Sequence, residues 1–118
     1  MRKILFVMSH APHHGTDLQE TLDIVLTAAA FDQRVSLLFL DDGVLQLHQG
    51  QSPEKFKLKD TAAIFRALEI YDVRDYFIEV ESLQERGLKP GNLILPVREV
   101  YRRNINELIS HHDVILSG

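Results

Sequence analysis

Read by the spacing of its apolar residues, the chain alternates short continuous apolar runs with longer segments of helical period. Lys3 to Met8 (KILFVM) is such a run, bounded by polar residues, as expected of a strand buried on both faces of a parallel sheet. From Thr16 the period changes. Leu18, Leu22, Val25, Leu26 and Ala29 recur at spacings of three and four, which predicts an amphipathic helix reaching Phe31 and Asp32, with Thr16 and Gln19 as its capping box. Val35 to Leu40 (VSLLFL) is a second buried strand, closed by the turn residues Asp41-Asp42-Gly43. A strand, helix, strand order of this kind joins parallel strands through a right-handed crossover.

Val44 to Leu58 breaks the regular pattern, with a short apolar tuft, a break at Gly50 and Ser52-Pro53 as a cap, and reads as a long loop or small excursion. From Asp60 a helix is expected with Ile64, Phe65, Leu68 and Tyr71 on its apolar side. After a turn at Asp72 to Asp75, Tyr76, Ile78 and Val80 alternate with Phe77 and Glu79 and predict a third strand with one buried and one partly wet face. Ser82 and Glu85 then form an S-x-x-E capping box, and Gly87 keeps the helix that follows short. A fourth strand is expected at Leu93 to Val97, where Pro96 suits an end or an edge. A helix from Arg98 to Ser110 follows, and a fifth strand at Val114 to Leu116. The whole, residues 1–118, is expected as one α/β domain with a five-stranded parallel sheet.

Composition narrows the chemistry. The net charge of -4 supplies no basic face for nucleic acid, and the apolar and charged fractions, 45% and 25%, are those of a soluble globular chain. With no membrane-length apolar stretch and no secretory leader read at Met1 to Pro12, the expected compartment is the cytoplasm. Cysteine is absent, so the chain can carry neither a disulfide nor a persulfide, and thiolate metal sites are excluded.

In open α/β sheets ligands sit at the carboxyl ends of the strands, which directs attention to Glu79, Glu81 and Ser82. The two carboxylates fall on one face of an extended segment, which offers two readings, a shared proton or simple solvation, and solvation is the expected one. Ser82 lies in no G-x-S-x-G elbow. His10, His13 and His14 precede Gly15 and Thr16 in the first strand-to-helix turn; their spacing imposes no metal geometry, and no metal or other cofactor is expected. The backbone amides at Gly15 and Thr16, with His13, make a candidate anion site, although neither a dinucleotide fingerprint nor a P-loop is present. Arg98, Arg102 and Arg103 read as a solvated helix face. Val44, Leu45 and Leu47, apolar in a polar connection, either pack on the core or are offered to a partner.

Five short stretches in order carry a resemblance that spans essentially the whole chain. They are Ala11-Pro12-His13-His14-Gly15-Thr16, Asp42-Gly43-Val44-Leu45-Gln46-Leu47, Leu68-Glu69-Ile70-Tyr71-Asp72-Val73, Ser82-Leu83-Gln84-Glu85-Arg86-Gly87-Leu88 and Asp113-Val114-Ile115-Leu116. With these the chain resembles the DsrE/DsrF-like sulfur-relay family, and within it the TusC/DsrF-like subunits. The resemblance implies a three-layer α/β/α sandwich and a heterohexamer with TusB-like and TusD-like subunits. It also implies that the sulfur-carrying cysteine belongs to the TusD-like subunit, after its third strand. The matching region here, Glu79 to Ser82, has no sulfur nucleophile, so no catalytic residue carries over. The expected role is a non-catalytic subunit of a complex serving 2-thiolation of the tRNA wobble uridine, with Asp42, Gly43, Val44, Leu45 and Leu47 as the candidate interface. Two alternatives are a DsrF-like subunit of a sulfur-oxidation complex and an independent small-ligand or metal-binding protein using the His10 to Thr16 turn.

Overall fold

Five strands, β1 (Lys3–Met8), β2 (Arg34–Phe39), β3 (Asp75–Glu79), β4 (Arg98–Val100) and β5 (Val114–Ser117), form one sheet in the order β4-β3-β2-β1-β5, every pair parallel. The computed structural model describes residues 2–9, 17–31, 33–47, 68–73, 75–89, 91, 93 and 97–117. Helix α1 (Asp17–Ala30) links β1 to β2, α2 (Val80–Glu85) follows β3, and α3 (Ile105–Ser110) precedes β5. Helices α1 and α2 share one face of the sheet, where Val25 and Leu83 join its core, and α3 lies on the other, where Leu108 stands near Ser36 and Phe77, as right-handed crossovers in this strand order require. The result is the three-layer α/β/α sandwich with a five-stranded parallel sheet that the sequence predicts.

Register and the two-residue period divide the apolar side chains between the faces. Ile4, Phe6 and Met8 stand beside Val35, Leu37 and Phe39, and the last two beside Tyr76 and Ile78. Val25 of α1, Leu68, Val73 and Leu83 of α2 complete this larger core. Fully burying side chains of this size contributes about 1.5–3 kcal/mol each. Leu5 and Leu38 are buried on the second face, where Phe77 and α3 lie.

Local chemistry sets the ends of α2 and of the helical turn at 68–70. Asp72 (φ 62) and Gly87 (φ 66) occupy the left-handed region, and the amides of Val73 and Leu88 reach back to the carbonyls of Leu68 and Leu83. Gly87 closes α2 where the sequence places the stop.

Four expectations change. The fourth strand is Arg98–Val100 rather than Leu93 to Val97; Leu93 makes an isolated bridge, and 94–96 lie outside the described residues. The last helix consequently shortens to a 3₁₀ turn at Arg102–Asn104 and then α3. Helix α2 starts at Val80, so Ser82 is inside it and makes no cap. Tyr71 is half exposed, beyond the end of the segment whose Leu68 is buried. The Gly50 break, the Ser52-Pro53 cap and the helical positions Ile64 and Phe65 fall outside the described residues.

Candidate functional site

Strand β3 delivers Glu79 to the carboxyl edge of the sheet, and the chain turns into α2 at the next residue. That abrupt start points the Ser82 hydroxyl back at the strand. Its Oγ donates to Glu79 Oε1 at 2.5 Å and accepts the Asp41 amide at 2.8 Å, tying the end of β3 to the end of β2. Ser82 is fully buried and Glu79 is 4% exposed. From beyond β4, Arg102 donates through Nη2 and Nε to the same Glu79 oxygen at 2.8 and 3.2 Å. Its Nη2 also reaches Glu85 at 3.0 Å, and its backbone amide donates to Glu81 at 2.8 Å. Arg86 closes the circuit, donating to the Ser82 carbonyl at 3.1 Å and to Asp42 Oδ1 at 2.9 and 3.1 Å.

Burial by itself would push the Glu79 carboxyl up. The hydrogen bonds from Arg102 and Ser82, with the charges of Arg102 and Arg86, outweigh it and hold the carboxyl below its ordinary value. Arg102 is held correspondingly more firmly protonated, first by its hydrogen bonds to Glu79 and Glu85. A carboxylate with three donors on one oxygen and a lowered pKa is a poor general base near neutrality. The adjacent serine, with its proton committed to that carboxylate and no exposed surface, is no nucleophile. Chemically the arrangement is a clamp joining the ends of β2, β3 and β4.

The clamp overturns the solvated reading of Glu79. It also engages Arg102, which stays exposed as expected, in ion pairs with Glu79 and Glu85, while exposed Arg103 sets its guanidinium 4.8 Å from the Tyr101 ring. Local patterns do not show Arg102, Arg86 and Asp41 as partners because they lie 23, 44 and 41 positions from Glu79, Asp42 and Ser82.

The candidate interface forms a 3₁₀ helix, Asp41–Leu47, standing on the end of β1. Gly43 is required there: a Cβ would lie 1.9 Å from the Met8 carbonyl oxygen. Val44 is fully buried in the core, whereas Asp42 is exposed and Leu45 half-buried. Val44 is therefore core rather than partner-facing. The side chain of Leu47 and the candidate anion residues His13, Gly15 and Thr16 lie outside the described residues, as do His10 and His14. Among the described residues no group of three metal-ligating side chains converges, and no helix is long and apolar enough to cross a membrane.

The model of the DsrE/DsrF-like family matches residues 2–117. The chain belongs to this family. Within it, the chain is 35% identical over 116 residues to a protein named TusC homolog from Aliivibrio fischeri, covering 98% of each. A TusC homolog from Pseudomonas aeruginosa matches with the same identity and coverage. Among solved structures, the YchN protein from E. coli superposes over the full length of both chains with a TM-score of 0.84 at 19% identity. A protein of unknown function from Methanobacterium thermoautotrophicum does so at 0.77 and 11%. At those identities the structural likenesses speak for the fold alone. A DsrE/DsrF-like chain with TusC homologs as relatives is a sulfur-relay subunit, and this one carries no cysteine.

Proposed function

We propose that this chain is a non-catalytic, structural subunit of a TusBCD-type sulfur-relay complex in the cytoplasm. There, together with TusB-like and TusD-like subunits in a heterohexamer, it supports passage of persulfide sulfur toward 2-thiolation of the tRNA wobble uridine. The full-length identity to TusC homologs carries this reading. The chemistry agrees with it: a chain without cysteine must leave sulfur to a partner, and the turn after β3 is filled by the Glu79, Ser82 and Arg102 clamp. Positioning is what such a clamp provides. It fixes the Asp41–Leu47 helix against α2, and the exposed side of that helix is the surface we assign to a partner, with Asp42 and Leu45 in place of the buried Val44.

Co-expression with TusB-like and TusD-like chains, followed by light scattering, tests the reading. The expected species contains all three chains in a heterohexamer. An assembled partner pair beside a lone copy of this chain would refute it.

A further inference from the structure

The amino end of the sheet, opposite the clamp, holds a pocket of about 220 Å³ beneath α3. Its rim is basic. Lys3, Arg34 and Arg98 open strands β1, β2 and β4, and the register sets Lys3 directly beside Arg34. Like charges side by side on a sheet repel. Asp75, on β3, takes up the Arg34 charge at 3.3 Å, but among the described residues no carboxylate pairs with the side chains of Lys3 or Arg98. Asp113 accepts the Lys3 backbone amide at 2.8 Å, and Lys3 is among the residues lining the pocket.

The wall supplies polar groups suited to an oxyanion. Ser36 is 3% exposed and lines the pocket from within the apolar run that follows Arg34 in β2, and no described residue pairs with its hydroxyl. A buried hydroxyl without a partner is unfavourable, which makes a donor facing a basic pocket meaningful. His111 and His112 close the roof, each with Nδ1 at a helix carbonyl, at 2.7 and 2.9 Å. Nδ1 must donate there, which leaves Nε2 of each imidazole as its acceptor. A monoprotonated phosphate, with one O–H and several anionic oxygens, can satisfy both kinds of group.

We propose that this pocket binds a phosphate group, as inorganic phosphate or a small monoester. Ser36 donates from the floor, Lys3 and Arg98 supply charge from the two sides, and the imidazoles close the roof. Phe77 and Leu108 offer an apolar wall to the organic part of an ester. The volume is below the roughly 300–1,000 Å³ typical of drug-sized ligands, which favours a small ligand. The site is independent of the relay function proposed above, since it lies at the other end of the strands and uses none of the clamp residues.

Calorimetric titration of the full chain with inorganic phosphate, phenyl phosphate and phenol tests this. Phosphate should bind with a Kd of about 1 mM or tighter. Lys3→Gln combined with Arg98→Gln, both at exposed positions, should weaken binding about tenfold or more. Ser36→Ala should weaken it while the melting temperature holds or rises, since a structural hydroxyl would lower it on removal. Phenyl phosphate binding more tightly than phosphate assigns an ester; equal affinity assigns free phosphate. No saturation by either to about 10 mM, unchanged binding in the double variant, or phenol binding as well as its phosphate overturns the site.

Discussion

Replacing Glu79 by glutamine isolates the charge at the centre of the clamp while keeping its shape. In the native chain one carboxylate oxygen receives Ser82 Oγ, Arg102 Nε and Arg102 Nη2. A hydrogen bond to a charged group contributes about 1.5–3 kcal/mol and a neutral one about 1 kcal/mol. The substituted amide keeps an acceptor oxygen there, so only the difference is lost, and water screens part of it on the Arg102 side. The loss expected of Glu79→Gln is about 2 kcal/mol, or close to 8 °C in melting temperature for a chain of this length. The pH dependence gives the sharper test. Because the folded carboxyl is held below its ordinary value of 4.5, its stabilisation is complete above that value and disappears as the pH falls through the folded pKa. Thermal unfolding followed by circular dichroism at pH 7 and in an acid series should therefore show the variant less stable at neutrality and the two proteins converging in acid. Equal melting temperatures at pH 7, or a gap that persists at the acid end, would refute the account of the clamp.

Gly43→Ala places a methyl carbon 1.9 Å from the Met8 carbonyl oxygen, a backbone atom with little room to give, and should destabilise the fold by about 1–3 kcal/mol in denaturant titration. Val44→Ser trades a fully buried side chain for a smaller polar one and should cost about 2–4 kcal/mol by the same assay. Leu45→Ser, at a half-buried position of the same helix, should instead lower recovery of the co-expressed complex in affinity purification, with the isolated chain still folded. Asp42→Asn removes the charged partner of Arg86 at an exposed site, so its effect should stay below about 1 kcal/mol and shrink with added salt.

Most of the sheet was legible because the strands at its centre are buried on both faces and announce themselves as apolar runs: Lys3 to Met8 and Val35 to Leu40 lie within one residue of β1 and β2. Strand β4 was not. Arg98-Glu99-Val100 has no apolar pattern and is a strand only because Phe77, Ile78 and Glu79 pair with it. The site was less readable still. Ser82 and Glu85 obey the spacing of a capping box, yet the buried carboxylate at Glu79 competes for the serine proton and Arg102 takes Glu85. Local rules can place a serine near a helix start, but they cannot anticipate an arginine arriving from beyond another strand. Ser36 is hidden for the opposite reason, as one polar residue inside an apolar run.

The two borders of the sheet differ in kind. At one, β4 is short and presents Arg98 and Glu99, both exposed; at the other, β5 presents Ile115 and Leu116, 40% and 39% exposed. Charge on a border strand discourages a further strand from adding, and an apolar border does not. A sheet guarded on one side can grow in one direction only. Were two copies to meet through β5, both charged borders would face outward, so the asymmetry of the sheet works against open-ended growth into fibres.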